Sequence, residues 1–158
     1  MDVNIVCIGK LKESYWRDAC AEYAKRLSPY CKFTITELAE ARLPKSPSSG
    51  EIERALEEEG ARILDKCGTA FVIAMCIEGD VLSSEQFASH IASAALHGKS
   101  SVAVIIGGSH GLSPAVKKRA DLRMSMGRMT FPHQLARVML CEQLYRAFSI
   151  NNGGQYHK

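Results

Sequence analysis

The sequence predicts a single α/β domain, residues 1–158, with a mainly parallel sheet. The chain is long enough for one sizeable core and too short for two ordinary domains. Strand-like and helix-like segments alternate along its whole length, which is typical of this class. Two of the strand-like segments are continuous apolar runs, as expected of parallel strands covered on both faces.

The N-terminal part predicts a strand, a helix and a second strand. Residues 3–8 form a short apolar run that Gly9 closes, as expected of a first strand. Apolar side chains then recur at helical spacing as far as Leu27, and Pro29 ends this helix. Residues 33–38 alternate in polarity and include β-branched side chains, which predicts the second strand.

A loop and an acidic helix follow. Residues 41–50 contain two prolines, three serines and a glycine, which predicts a mobile loop. Ser48 and Glu51 have the spacing of a capping box at the start of the helix. Gly60 lies inside this helix, where glycine costs about 1 kcal/mol relative to alanine, so we expect a close contact or a kink there.

The remaining segments complete the alternation. Residues 71–77 are a continuous apolar run, which we interpret as the central strand of the sheet. A Ser–Gln capping box opens the next helix, and residues 102–106 form another buried strand. A Ser–Pro pair begins a short helix, residues 122–126 predict a weak fifth strand, and one long helix ends the chain.

Composition excludes several classes of protein. No apolar run approaches the roughly 20 residues that a membrane span needs, and the N-terminus resembles a strand rather than a signal peptide. We therefore expect a cytoplasmic protein. The six cysteines include no Cys-x-x-Cys pair and none has a histidine at ligand spacing, so we expect buried thiols and no metal site.

Charge is distributed unevenly although the net charge is only +3. Residues 37–65 carry eight acids and four bases, whereas residues 99–137 carry seven bases and one acid. A basic C-terminal half suits a partner that bears phosphates. On charge alone a solvated helix face is the favoured interpretation, and the coincidence of these bases with the glycine-containing loops is what indicates a phosphate-bearing partner.

A glycine-rich loop follows the fourth predicted strand. Gly107, Gly108 and Gly111 permit close approach of a ligand to bare peptide N–H groups. The spacing is not Gly-x-Gly-x-x-Gly and no Walker lysine follows, so the pattern does not indicate a dinucleotide site or a P-loop. A tight turn without a ligand is the alternative interpretation.

Two more glycine-containing loops follow strands, at residues 76–80 and 126–131. Loops at the carboxyl ends of parallel strands are where ligands bind in such folds, so the three loops could form one pocket. Met126, Met129 and Phe131 would offer polarisable walls suited to an adenine ring, unless they are ordinary core residues.

Polar residues of the last helix and the tail are further candidates. His133 follows a proline at the helix start, where a capping or stacking role is the alternative. Arg137 could bind phosphate, whereas Arg146 more closely fits an ion-pair network with Glu142. The final three residues are an aromatic, an imidazole and a cation, and such a tail is either disordered or docked.

Several motifs together resemble the bacterial ribosomal RNA large subunit methyltransferase H family. The resemblance spans the whole chain without large gaps, and the order and spacing of the motifs are specific. They lie at residues 6–12, 59–60, 107–112, 130–134, 142–147 and 156–158.

This resemblance implies a fold, a methyl donor and a substrate. The fold is the SPOUT methyltransferase fold, an α/β sheet with a C-terminal trefoil knot, found as a homodimer. The methyl donor is S-adenosylmethionine. The product is N3-methylpseudouridine in the 23S rRNA of the assembled ribosome, in a stem-loop near the decoding centre.

The resemblance also implies site residues. Donor-binding residues correspond to Met75, Gly107, Met126, Gly127, Arg128, Met129, Thr130 and Phe131. The tail residues Tyr156, His157 and Lys158 correspond to those found near the donor and substrate. This chain departs from the family in having Cys76 where an acidic residue is usual, and Glu78 or Asp80 are the candidates to replace that carboxylate.

Methylation of the N3 imide requires its proton to leave before or during attack, so a base or a well-placed cation is useful. We take His157 as the first candidate for this role and His133 as the second. Arg128 and Arg137 are expected to steady developing negative charge or to hold a phosphate. Tyr156 and Lys158 are expected to contact the RNA.

Two alternatives remain open from the sequence. The first is a non-catalytic RNA-binding or ribosome-binding module, which Cys76 keeps under consideration. The second is a related methyltransferase that acts on another RNA such as tRNA, because the glycine-rich loops would contact the donor and not the RNA.

Overall fold

A computed structural model describes residues 1–158 as one parallel sheet of five strands with helices on both faces. In chain order the elements are β1 (Asp2–Ile8), α1 (Ser14–Leu27), β2 (Lys32–Leu38), α2 (Ser49–Cys67), β3 (Phe71–Val81), α3 (Ser84–Leu96), β4 (Ser101–Ile106), α4 (Pro114–Arg119), β5 (Leu122–Ser125) and α5 (His133–Asn151).

The strands lie in the order β2-β1-β4-β3-β5, and every neighbouring pair is parallel. The predicted fold class is therefore confirmed. The prediction that residues 71–77 form the central strand is wrong, because β4 is central and β3 lies second from the edge. A continuous apolar run indicates burial on both faces, which β3 and β4 share, and it does not indicate position in the sheet.

Two layers of apolar side chains hold the helices to the sheet. Along β1, Val3, Ile5 and Cys7 belong to a core shared with α1, α3 and α5. Val6 and Ile8 point to the opposite face and pack with side chains of α2 and α4. This alternation follows from the two-residue period of a strand, and helices on both faces explain why residues 5–8 of β1 are all buried.

The helix starts predicted from the sequence are confirmed. Capping boxes are present at Ser48 and at Ser83, and the Ser113 hydroxyl accepts a hydrogen bond from the backbone N–H of Val116. Helix α2 continues through Gly60 without a break. A Cβ atom at Gly60 would lie 2.3 Å from Ser113 Oγ, so the close contact is the reason for glycine here.

All six cysteines are free thiols, and five of them are buried. This confirms their interpretation as small apolar residues of the core. No group of three His, Cys, Asp or Glu side chains converges as it would around a metal ion. None of the helices has both the length and the apolar character that a membrane span requires.

Candidate active site

A cavity of about 510 Å³ opens beside the second half of β3 and the carboxyl ends of β4 and β5. Three segments form most of its lining, residues 75–78, 106–112 and 124–131. The prediction that these three segments form one pocket is confirmed, although the first of them belongs to β3 and is not a loop. The lining includes all eight residues that the resemblance assigned to the donor: Met75, Gly107, Met126, Gly127, Arg128, Met129, Thr130 and Phe131.

The turn after β4 brings bare backbone to the cavity. Gly108 and Gly111 form an isolated bridge, and the N–H of Gly111 donates to the carbonyl of Gly108 at 3.0 Å. Gly111 has a φ of +83°, which glycine adopts without strain. A Cβ atom at Gly107 would lie 2.4 Å from the carbonyl oxygen of Gly111, so a side chain at position 107 would push the turn apart.

The segment after β5 is shaped by Ser125, which the sequence analysis did not single out. Its buried hydroxyl accepts from the N–H of Gly127 at 3.2 Å and donates to the carbonyl of Gly127 at 3.1 Å. Gly127 has a φ of +114°. The chain therefore turns sharply, and Met129, 75% exposed, stands at the cavity mouth.

The prediction of a loop at residues 76–80 is wrong, because β3 continues to Val81. The strand pairs with β5 in two registers, since Met75 and Asp80 both lie opposite Met124. A Cβ atom at Gly79 would lie 2.6 Å from the backbone of Met124, so only glycine fits there. Such irregular pairing re-aims side chains next to binding sites.

The extension of β3 brings one carboxylate to the cavity. Glu78 lines the cavity and pairs with Lys117 of α4, with 2.5 Å between Oε1 and Nζ, whereas Asp80 does not line it. The hydrogen bond from Lys117 is the main cause that lowers the pKa of Glu78. Cys76 also lines the cavity, and burial followed by the Glu78 charge raises the pKa of its thiol.

His133 is the first residue of α5 and lines the cavity, as the sequence led us to expect. Ala136 and Leu140 line it from the same helix. These positions are three and seven residues after His133 and therefore lie on the same side of α5.

Arg137 does not reach the cavity, and the prediction that it meets RNA or the reacting atoms is wrong. Its side chain is 3% exposed and pairs with Glu37, with 2.5 Å between Nη1 and Oε1. A second guanidinium nitrogen donates to the carbonyl of Gly9 at 3.1 Å, and the N–H of Leu11 donates to Glu37. Arg137 instead ties α5 to the ends of β1 and β2.

The C-terminal tail is docked on the surface of α5. The Tyr156 hydroxyl donates to Glu142 at 3.1 Å, and its ring lies 4.7 Å from that of Tyr145. Burial and the bond to Glu142 raise the pKa of Tyr156 to about 12. His157 Nε2 lies 2.7 Å from Glu85, and its Nδ1 lies 3.3 Å from Arg146.

The ion pair between Arg146 and Glu142 confirms the network expected from the sequence. The tail contacts these two residues and therefore lies away from the cavity of its own chain. Glu142 follows the cavity residue Leu140 by two positions, which is about 200° around the helix. Tyr156, His157 and Lys158 are absent from the cavity lining, and α5 lies between them and the cavity.

The basic C-terminal half provides fewer free cations than its sequence suggests. Arg137 is buried, Lys117 pairs with Glu78, and Arg119 pairs with Asp121. The exposed cations are Lys118 of α4, Arg123 of β5 and Arg128 of the following turn. Arg123 lies on the edge strand β5, and Arg128 lies in the turn after it and also lines the cavity.

Sequence reasoning missed Lys117, Ser125, Ala136 and Leu140 as site residues. Helical spacing from His133 could have identified Ala136 and Leu140. No sequence signal indicates that Lys117 faces Glu78, because the contact depends on how α4 packs beside the extended β3.

A family model described as "Predicted SPOUT methyltransferase" matches residues 1–157. The fold agrees with this class. A tRNA (m1G37) methyltransferase of Aquifex aeolicus superposes with a TM-score of 0.55 at 14% identity, over 92% of this chain and 70% of that one. A protein of Haemophilus influenzae described as a "probable methylase family protein" gives a TM-score of 0.56 at 15% identity, over 99% of this chain and 70% of that one.

Full-length relatives are more similar in sequence. A protein of Limosilactobacillus reuteri called ribosomal RNA large subunit methyltransferase H is 50% identical, and one of that name in Bifidobacterium adolescentis is 51% identical. Each match covers 100% of both chains. The chain therefore belongs to the SPOUT methyltransferases, in the family of ribosomal RNA large subunit methyltransferase H.

Proposed function

We propose that this chain is an S-adenosylmethionine-dependent methyltransferase that methylates N3 of a pseudouridine in the 23S rRNA of the assembled ribosome. The observation that carries the proposal is the cavity of about 510 Å³ in which all eight residues assigned to the donor meet. Family membership over the whole length supports the same activity. The expected place of action is the cytoplasm, where ribosomes are found.

The lining fits an adenosyl ligand. Gly107 lets the turn after β4 close on Gly111, and this turn brings its backbone to the cavity. Met126, Met129 and Phe131 provide polarisable and aromatic walls for a purine ring. S-adenosylmethionine, when bound, would supply a methyl group on a positively charged sulfur.

The chain must also bind RNA and accept a proton from N3. Arg128 lies at the cavity and can hold a substrate phosphate near the reacting nitrogen. His133 lines the cavity and is the candidate base that this chain itself provides. With three exposed cations on α4, on β5 and in the turn after it, affinity for RNA should fall with salt with a log–log slope of about −2 to −2.7 per protomer.

We also propose a homodimer in which the tail of one protomer completes the site of the other. The chain's own Tyr156 and His157 lie across α5 from its cavity. Exposed apolar side chains of Ile77, Val81 and Met129 lie at the cavity or on the strand beside it, where a second copy would cover them. We further propose that the C-terminal part of this chain forms the trefoil knot of the SPOUT fold.

The activity is tested by incubating the protein with methyl-labelled S-adenosylmethionine and bacterial ribosomes that lack the modification. We expect label in N3-methylpseudouridine of the large-subunit rRNA, identified by mass spectrometry. Label in tRNA only would indicate a different substrate. Donor binding without transfer to any RNA, or no donor binding, would favour a non-catalytic ribosome-binding module.

The shared site is tested by mixing two inactive variants, His157→Ala and Gly107→Ala. If tail and cavity come from different protomers, mixed dimers contain one intact site and regain methyl transfer. Each variant mixed with itself is the control. Full activity of His157→Ala alone would remove His157 from the mechanism, and an absence of rescue would place tail and cavity in the same protomer.

A further inference from the structure

The charges around the cavity are unbalanced. Lys117 and Arg128 are the cations of the lining, and Glu78 is its only carboxylate. A bound ligand with positive charge would therefore have a single acidic side chain to meet. Glu78 is therefore the side chain of the lining whose negative charge can attract such a ligand.

The irregular strand places this carboxylate where it is. The four consecutive residues 75–78 of β3 all contribute to the lining, Cys76 and Glu78 among them. Between the paired residues Met75 and Asp80 the register with β5 is broken, and residues 75–78 line the cavity at this irregularity. Cys76 supplies no negative charge because burial keeps its thiol protonated.

We infer that Glu78 is the counter-charge of the donor cavity, and that it raises the affinity for a sulfonium donor relative to the thioether product. This inference rests on the proposed function. During transfer the S–CH3 bond breaks with its electron pair left on sulfur, the N3–CH3 bond forms, and the N3 proton leaves to a base. The sulfur thereby loses its positive charge, so the attraction to Glu78 acts on the donor and is lost with the product.

Lys117 limits this attraction. Its Nζ lies 2.5 Å from Glu78 Oε1, so it holds the carboxylate in place and also neutralises part of its field. Removing the cation should leave Glu78 free to act on the ligand. The two substitutions Glu78→Gln and Lys117→Gln are therefore expected to change donor selectivity in opposite directions.

The experiment measures the dissociation constants of S-adenosylmethionine and S-adenosylhomocysteine by calorimetry at low ionic strength. The proteins are the full-length wild type, Glu78→Gln, Lys117→Gln and Asp80→Asn, each checked for folding by its melting temperature. Asp80→Asn is the matched control, because Asp80 is an exposed carboxylate of the same strand that does not line the cavity.

We expect Glu78→Gln to weaken S-adenosylmethionine about three- to fivefold relative to S-adenosylhomocysteine, as for one partly exposed charge pair. Lys117→Gln should shift the ratio the other way, and Asp80→Asn should leave it unchanged. An unchanged ratio in Glu78→Gln, or an equal change in Asp80→Asn, overturns the inference and leaves the proposed function standing. A wild type that binds neither ligand overturns both.

Discussion

The two halves of the sheet differ in how regularly their strands pair. Strand β1 pairs with β2 over seven consecutive residues and with β4 over six. On the other side, the pairing of β3 with β5 breaks between Met75 and Asp80, and the turns after β4 and β5 each contain a glycine with positive φ. The cavity lies entirely at this irregular half.

The difference shows how one sheet provides both stability and a site. Regular pairing uses the backbone donors and acceptors between neighbouring strands, which favours stability and leaves those groups unavailable to a ligand. Breaks in the ladder and glycine turns free backbone groups and re-aim side chains, at a cost in stability. The regular half also has a groove of about 390 Å³ between α1 and β2, but no glycine turn lines it.

The largest effect is expected where α5, which lines the cavity, is tied to the regular half of the sheet. Glu37→Gln leaves the guanidinium of Arg137, 3% exposed, without a counter-charge. We expect a loss of about 3 kcal/mol in the free energy of unfolding, because an uncompensated buried charge is costly. Urea denaturation measures it. Glu22→Gln removes an exposed ion pair with Arg26 and should leave stability unchanged. Equal losses of unfolding free energy in both variants would show that the Glu37–Arg137 pair stabilises the fold no more than an exposed ion pair does.

A smaller loss of stability is expected when a methyl group is added at Gly79, in the irregular half of the sheet. Gly79→Ala forces a Cβ atom against the backbone of Met124, so stability should fall by about 1–3 kcal/mol. Donor binding should weaken as well, because Met75, Cys76 and Glu78 would move with the strand. Gly50→Ala, with nothing within 4 Å of the new Cβ, is the control and should keep full stability. A tolerated Gly79→Ala would mean that the strand can readily repack.

The smallest effect concerns pH and the docked tail. Hydrogen bonds from Ser83, the backbone of Glu85 and His157 lower the pKa of Glu85 from 4.5 to about 2. The folded chain therefore binds fewer protons than the unfolded chain between these values, so this contribution to stability is present above pH 4.5 and disappears as the pH falls towards 2. Carboxyl chemical shifts of Glu85 followed by NMR would check it. A titration midpoint of Glu85 near pH 4.5 would contradict the hydrogen bonds that Ser83 and His157 make to this carboxylate.

The regular half was predictable from sequence, and the irregular half only in outline. Apolar runs, capping boxes and the Ser–Pro pair identify local structure, because their physics acts within a few residues. The three segments of the cavity were identified because ligands in α/β folds bind where strands end.

Contacts between residues distant along the chain were not predictable. Arg137 meets Glu37 across 100 residues, and His157 meets Glu85 across 72. The continuation of β3 past Cys76 depends on Gly79 packing against Met124 of another strand. Patterns within a segment carry no information on such partners, so the role expected of Arg137 was wrong.

Hydrogen exchange with and without S-adenosylmethionine tests most directly whether the irregular half is the donor site. We predict slower exchange of the backbone N–H groups in residues 106–112 and 126–131, with no change in β2 or in α1 beside the groove of the regular half. Slower exchange confined to that groove, or no slowing in either cavity at saturating ligand, would contradict the account.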